Sequence, residues 1–332
     1  MWALSNRTSF GAGRNWTRDK DGIHWWLVAV RATYTIAPDG RLTLADEQTP
    51  PLLAPEYHGE PGTSSLRSDS DLLDLKASTD VLLIGSAHAP RERPAATVPV
   101  TLRAGAIEKT LVVHGERIYR DGLATTAPQR FLRLPLTYEL AFGGSDLSAT
   151  NPSEHRIDER NPVGRGFARR RSSQVNRPAH AIEYPSGDPS TRGPAGFGPV
   201  DRGWLPRRSL AGTYDARWAE SKRPLLPDDY DPAFALASPI DQRPARPFRG
   251  GERVELINLT PEGRLAFELP RVELHFSTRF GRHGREHAAT LVTILIEPDA
   301  WRLSMVWQTS LRVPAREADY LDVTAIVERR VT

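Results

Sequence analysis

Residues 161–242 constrain the fold of this chain more than any other stretch, because they are rich in proline, glycine, tryptophan and arginine without any repeat. Twelve of the chain's 28 prolines lie at positions 178–247. Each proline fixes φ and removes a backbone donor, so this composition excludes long regular helices. Large apolar side chains such as Phe197 and Trp204 are costly to leave in water. We therefore predict an ordered, irregular region built from turns, a type of surface that often recognises a partner.

The absence of cysteine from all 332 residues excludes disulfides, thiolate catalysis and cysteine-ligated metal centres. The absence of cysteine is typical of proteins in a reducing compartment. The chain begins without a basic leader followed by an apolar run, and no apolar stretch approaches the roughly 20 residues that span a bilayer. We therefore expect a cytoplasmic protein without membrane insertion.

The charge balance argues against nucleic acid as a partner. The 44 lysines and arginines are nearly balanced by 41 aspartates and glutamates, which leaves a formal charge of +3. Binding of nucleic acid depends on a concentrated basic face. We therefore expect no nucleic-acid partner.

Period-two patterns and β-branched or aromatic residues predict strands on both sides of the irregular region. The predicted strands are residues 25–36, 41–44, 80–88, 98–103, 107–115, 132–142, 253–258, 264–269, 272–278, 289–297 and 302–309. Turn residues at 38–40 and 104–106 predict hairpins. Helical periodicity is scarce, and residues 214–221 and 315–330 are the best short helices.

These patterns predict a mainly β fold of antiparallel sheets, sandwich- or barrel-like, with a long ordered irregular centre and few short helices. Residues 1–145 form an N-terminal β region, residues 146–250 the irregular region and residues 251–332 a C-terminal β region. We expect the three to pack as one globular unit.

One motif points to metal chemistry. His283, Glu286 and His287 match the H-x-x-E-H spelling of a zinc hydrolase. That spelling requires a helix, which places both imidazoles on one face. Gly284 weakens a helix and a strand is predicted to follow, so a polar loop is the favoured interpretation.

Other hydrolase and binding alternatives stay open. Asp228, Asp229, Asp231 and Asp241 include enough acids for a glycan hydrolase that uses paired carboxylates. Aromatic side chains near acids and arginines are also the material of a carbohydrate-binding module. No nucleophile elbow, Walker loop or dinucleotide fingerprint is present, so we predict no cofactor and assign no catalytic residue.

Short blocks over about half of the chain resemble a known bacterial family. They are Lys76, residues 79–85, residues 87–90, residues 135–138, residues 141–144, residues 161–166, residues 196–199, Trp204, residues 206–207, residues 212–215, Trp218, residues 224–227, Asp229 and residues 241–242. That family is catalogued as a domain of unknown function, and its members accompany type VI secretion spike proteins and toxic effectors. The resemblance implies a non-enzymatic adaptor, or chaperone, that loads an effector onto a PAAR or VgrG spike protein.

Aromatic and arginine side chains dominate the energetics of protein interfaces, so they are the natural candidates for contacts with these partners. The predicted partner-binding residues are Phe142, Arg165, Phe197, Trp204, Arg207 and Trp218. Exposed edge strands offer a second way to bind, by adding a strand from the partner.

Overall fold

The computed structural model describes residues 3–120, 124–280, 282–313 and 321–329. In chain order the strands are β1 (Ala3–Asn6), β2 (Gly11–Arg18), β3 (His24–Ile36), β4 (Leu42–Leu44), β5 (Glu56–Tyr57), β6 (Leu66–Ser68), β7 (Asp80–Leu83), β8 (Ser86–His88), β9 (Thr97–Ala104), β10 (Ile107–His114), β11 (Arg133–Pro135), β12 (Phe142–Gly143), β13 (Ser145–Asp146), β14 (Arg156–Ile157), β15 (Arg165–Gly166), β16 (Ile182–Glu183), β17 (Arg253–Ile257), β18 (Arg264–Glu268), β19 (Glu273–Phe280), β20 (His283–Ala288), β21 (Thr290–Glu297), β22 (Arg302–Val313) and β23 (Leu321–Arg329).

Helical structure is limited to short segments. The α-helices are α1 (Pro189–Arg192) and α2 (Ala216–Ser221), and the 3-10 segments are Pro90–Glu92, Tyr138–Leu140, Pro152–Glu154, Arg171–Gln174, Arg207–Ala211, Pro232–Ala235, Ile240–Gln242 and Pro298–Ala300. Asp215 caps α2 by accepting a hydrogen bond from the Trp218 amide at 2.8 Å. In the described ranges, no helix has the length and apolar character needed to cross a membrane.

The largest sheet has six strands and is built around β3. Its strand order is β2-β3-β22-β21-β7, and β4 also pairs with β3. The continuous apolar and β-branched sequence of β3 suits a central strand that is buried on both faces. Val28 and Val30 pack into the main core, while Leu27 and Ala29 pack on the opposite face against Leu72.

Two further sheets complete the framework. The five-stranded sheet has the order β16-β10-β9-β17-β18, and the four-stranded sheet has the order β1-β23-β19-β20. One buried cluster joins all three sheets and includes Val100, Phe276 and Phe197, the last from the irregular region. The irregular region is therefore packed onto the sheets, where Phe197 is fully buried.

The mainly β prediction is confirmed. Hairpins form at both predicted places, since β4 pairs antiparallel with β3 and β10 pairs antiparallel with β9. Most strand pairs are antiparallel, but β1 with β23, β7 with β21 and β12 with β15 are parallel. The three large sheets are open.

Three local predictions differ from the structure. Residues 132–142 form only the short β11, a 3-10 segment and the start of β12, because Pro135 cannot donate to a longer ladder. The predicted loop before residue 289 is strand β20, which pairs with β19 along its whole length. The helix predicted at 315–330 is wrong for residues 321–329, which form β23 between β1 and β19; residues 314–320 and 330 lie outside the described residues.

Two glycines in turns with positive φ have opposite surroundings. Gly40, between β3 and β4, has a φ of 85°, and a Cβ added there would lie 1.9 Å from the carbonyl oxygen of Ala266 in β18. Gly62 has a φ of 82°, and a Cβ added there would meet nothing within 4 Å. The Gly40 turn therefore packs directly against a second sheet, whereas the Gly62 turn faces open space.

Candidate functional site

The irregular region is fixed to the edge of the six-stranded sheet by Asp80, the first residue of β7. This fully buried carboxylate accepts hydrogen bonds from the Lys76 Nζ at 2.7 Å, the Ala237 amide at 3.0 Å and the Ser238 amide at 2.8 Å. Burial acts to raise the pKa of Asp80, but Lys76 and these donors hold it below the ordinary value. The carboxylate is thus ionised and bonded on several sides.

A second buried anchor joins Arg207 to Asp69, and both residues are nearly inaccessible to solvent. The Arg207 guanidinium also donates to the carbonyl oxygens of Phe234 and Val200, each at 2.8 Å. Burial opposes ionisation of Asp69, while Arg207 and then Arg202 lower its pKa below the ordinary value. One guanidinium therefore ties two segments of the irregular region to Asp69 in the N-terminal region.

The third anchor is Lys109, which points inward from β10. Its Nζ donates to the carbonyl of Gly196 at 2.6 Å, to Asp241 at 2.8 Å and to the Gln242 Oε1 at 2.8 Å. The Gln242 Nε2 in turn donates to the carbonyls of Val81 and Phe197 at 2.9 Å. These bonds give the Asp-Gln pair at 241–242 a structural role.

Lys109 makes the stability of the protein depend on pH. Burial lowers the pKa of its ammonium group from 10.5 to about 8, although Asp241 acts in the opposite direction. Between these two values the unfolded chain binds more protons than the folded chain, so folding becomes more favourable as pH rises. We expect wild type to gain about 1 kcal/mol per pH unit near pH 9 relative to Lys109→Met.

Urea denaturation of both proteins at about pH 7, 8 and 9.5 measures this difference. Both proteins contain the same tyrosines, so the comparison with Lys109→Met removes the contribution of tyrosine ionisation to the pH dependence of stability. A difference in unfolding free energy that does not change with pH would contradict the expectation.

One residue from each anchor, namely Arg207, Ser238 and Asp241, lines a cleft of about 480 Å³, which we call the central cleft. Its lining residues are Tyr138, Arg160, Tyr184, Arg192, Gly193, Pro194, Val200, Leu205, Pro206, Arg207, Ser209, Leu210, Ser238, Pro239, Ile240, Asp241 and Arg243. The exposed lining is mainly apolar, and four arginines and one aspartate are interspersed in it. A mostly apolar cleft with a few placed polar groups is the usual form of a binding site.

The predicted partner-binding residues divide into two groups. Phe142, Phe197, Trp204 and Arg207 are buried, and their packing accounts for them. For example, the Trp204 ring packs edge-on against Tyr138 with centroids 5.6 Å apart. The second group consists of Arg165, which is exposed, and Trp218, which is half-buried, so these two are accessible to a partner. Only Arg207 lines the central cleft.

The H-x-x-E-H motif lies on β20, an edge strand, where His283 and His287 are four residues apart. Strand geometry separates their backbones by about 13 Å. The His287 ring bonds to the hydroxyls of Thr278 at 2.8 Å and Thr309 at 2.7 Å, and burial, followed by His275, lowers its pKa to about 4. Within the described residues, no group of three or more His, Cys, Asp or Glu side chains is placed to hold a metal ion.

The acids considered for hydrolysis have local partners. Asp228 pairs with Lys222, and Asp231 caps the 3-10 segment Pro232–Ala235. Asp229 accepts bonds from the Thr213 amide at 2.9 Å and the Thr213 hydroxyl at 2.7 Å. These contacts explain the acidic cluster as a set of turn and capping interactions.

Sequence reasoning missed Asp69, Asp80 and Lys109. One signal for Lys109 was present, because it occupies an inward position in β10, where Ile107, Lys109 and Leu111 alternate with more exposed residues. A lysine on the apolar face of a strand indicates a buried partner. The two aspartates carry no comparable local signal.

Most of the chain matches a known protein family. A family model described as "Uncharacterized protein conserved in bacteria (DUF2169)" matches residues 21–308. No curated protein and no solved structure matches the chain significantly. The family match confirms the resemblance to a bacterial domain of unknown function. Because it spans most of the 332 residues, the chain belongs to the DUF2169 family of bacterial proteins.

Proposed function

We propose that this protein is a non-enzymatic adaptor of type VI secretion, which holds a toxic effector beside its PAAR or VgrG spike protein. The observation that carries the proposal is the central cleft, an open and mainly apolar site set in an irregular region that buried polar groups hold in place. The resemblance of the short sequence blocks to type VI accessory proteins supplies the identity of the partners.

A fixed surface suits an adaptor for an energetic reason. Loops that are already ordered lose little conformational freedom on binding, so more of the contact energy appears as affinity. Accessible apolar groups are available in the irregular region: Ile240, which lines the cleft, is 67% exposed, and Tyr214 is 52% exposed. Trp218 packs against Tyr214 with ring centroids 4.7 Å apart, which forms an aromatic pair on the same irregular region.

Co-purification tests the proposal. A tagged form of this protein is isolated from cells that also express the effector and spike proteins encoded beside it, and the eluate is analysed by mass spectrometry. We expect a stable complex with at least one of them at micromolar concentration, and we expect Ile240→Asp to reduce its yield at least tenfold.

Leu53→Asp is the matched control, because Leu53 is 69% exposed and lies outside the residues that line the central cleft. This variant should retain the complex. If wild type forms no complex with any of the encoded effector and spike proteins, the adaptor function is wrong.

A further inference from the structure

The charges in the central cleft do not cancel. Arg160 is neutralised by Asp158, to which it donates two hydrogen bonds of 2.8 and 2.7 Å. Arg207 is neutralised by Asp69, and the one acid that lines the cleft, Asp241, is neutralised by Lys109. The charges of Arg192 and Arg243 are left over.

Arg192 lies at the last position of α1 with its guanidinium 4.4 Å from the centre of the Tyr184 ring. Stacking on an aromatic face leaves the N–H groups at the guanidinium edge available to bind an anion. Tyr184 is held in turn by a hydrogen bond from its hydroxyl to Asp241 at 3.1 Å. The cation is thus positioned on a fixed ring.

Arg243 is half-buried, and its side chain donates to neutral acceptors. Its Nε donates to the carbonyl of Ser238 at 3.0 Å, and one terminal nitrogen donates to the carbonyl of Leu236 at 3.1 Å. Among the residues with described positions, no carboxylate forms an ion pair with Arg192 or Arg243. Asp80 and Asp231 attract the Arg243 guanidinium without pairing with it directly. A half-buried cation with no carboxylate bonded to it favours an anionic ligand.

The remainder of the lining selects against a small hydrophilic anion. Pro194, Leu210, Pro239 and Ile240 contribute apolar surface between the charged groups. Ile240 is two-thirds exposed, so its side chain is available for contact with an apolar group of a ligand. The surface therefore combines apolar contacts with a requirement for negative charge.

We propose that the central cleft binds a peptide segment in which an aspartate or glutamate follows or precedes large apolar residues, with the carboxylate placed between Arg192 and Arg243. The apolar side chains of the segment cover Ile240 and the neighbouring prolines. This inference rests on the proposed adaptor function, because it assigns the segment to the effector or the spike protein.

Selection from a random library tests the chemistry without knowledge of the natural partner. Phage that display random dodecapeptides are selected on immobilised wild-type protein and, separately, on Arg192→Glu. We expect wild type to enrich sequences with an acidic residue within two positions of Leu, Ile, Phe or Trp, and we expect Arg192→Glu to lose this enrichment. Because Arg192 is an exposed side chain, its replacement should leave the fold intact.

The most enriched peptide is then synthesised with a neutral fluorophore, and its affinity is measured by fluorescence polarisation. We expect Arg192→Glu to bind this peptide at least tenfold more weakly than wild type does. We also expect wild type to bind about tenfold more weakly a second peptide, in which asparagine or glutamine replaces the acidic residue. Arg192→Gln removes the charge without adding a repulsion, and it should show a smaller difference in affinity between the acid and amide forms than wild type, which identifies the pair by a double-mutant cycle.

Arg130→Glu makes the same charge change at an exposed position outside the lining residues and should bind like wild type. The assignment of the cleft would be overturned if wild type enriched no peptide more strongly than Arg192→Glu does. It would also be overturned if the enriched peptides shared a consensus without acidic residues. If co-purification succeeds while this selection fails, the adaptor function stands and the partner binds elsewhere. If selection succeeds while no effector or spike protein co-purifies, the chemistry of the cleft stands and the adaptor role fails.

Discussion

Asp80→Asn will destabilise the protein by about 3–5 kcal/mol, because it leaves the buried Lys76 ammonium without its counterion. The Lys76–Asp80 pair is almost completely enclosed, with 4% and 0% of the two side chains exposed. An asparagine amide group would also place N–H donors against the amides of Ala237 and Ser238, which both donate to this carboxylate. The loss therefore combines an unpaired charge with unsatisfied donors.

Urea denaturation followed by tryptophan fluorescence measures this loss, since the chain contains eight tryptophans. Asp46→Asn is the matched control, because it makes the same substitution at an exposed carboxylate. It should leave the free energy of unfolding within error of wild type. If Asp80→Asn were as stable as this control, the buried ion pair would not be the anchor described above.

Arg207→Leu should have an effect of similar size, about 3–5 kcal/mol, because Asp69 is as deeply buried as its partner. The substitution also leaves the carbonyl oxygens of Phe234 and Val200 without their donors. Arg202 still contacts Asp69 at 3.2 Å, but that single interaction cannot restrain the turns that Arg207 joins.

Arg208→Leu is a control one residue away, since Arg208 is exposed and pairs with the equally exposed Glu159. We expect a small change for this variant, as is usual for surface ion pairs. The same denaturation experiment compares the two variants. Equal stabilities would mean that burial of Arg207 contributes little to the stability of the irregular region.

Arg207→Leu should also reduce binding of the selected peptide, because this guanidinium forms part of the cleft.

Local signals in the sequence explain what could be predicted of the fold. The hairpins β3–β4 and β9–β10 depend on neighbouring residues, namely alternating side chains and the turn glycines Gly40 and Gly105. Strand β23 could not be recognised in this way, because it pairs with β1 at the opposite end of the chain. Its acidic and basic residues resembled a short helix when that partner was unknown.

The sequence predicted which region carries the candidate site, but it did not predict which residues form that site. The irregular region was correctly expected to be ordered, yet Phe197 and Trp204 are buried in the core instead of being accessible to a partner. Without a strand ladder, this region uses large side chains and polar pairs to hold its shape. Those pairs join distant residues, such as Lys109 with Asp241, so no local pattern reveals them.

The contrast between Gly40 and Gly62 determines where a reporter domain can be inserted into this protein. An insertion at Gly40 would push the hairpin away from the backbone of Ala266 and separate two sheets that share one core. An insertion at Gly62 extends a turn that has empty space around it. Because Gly62 is not one of the residues that line the central cleft, we expect a fluorescent or affinity module placed there to let partner capture be followed in living cells.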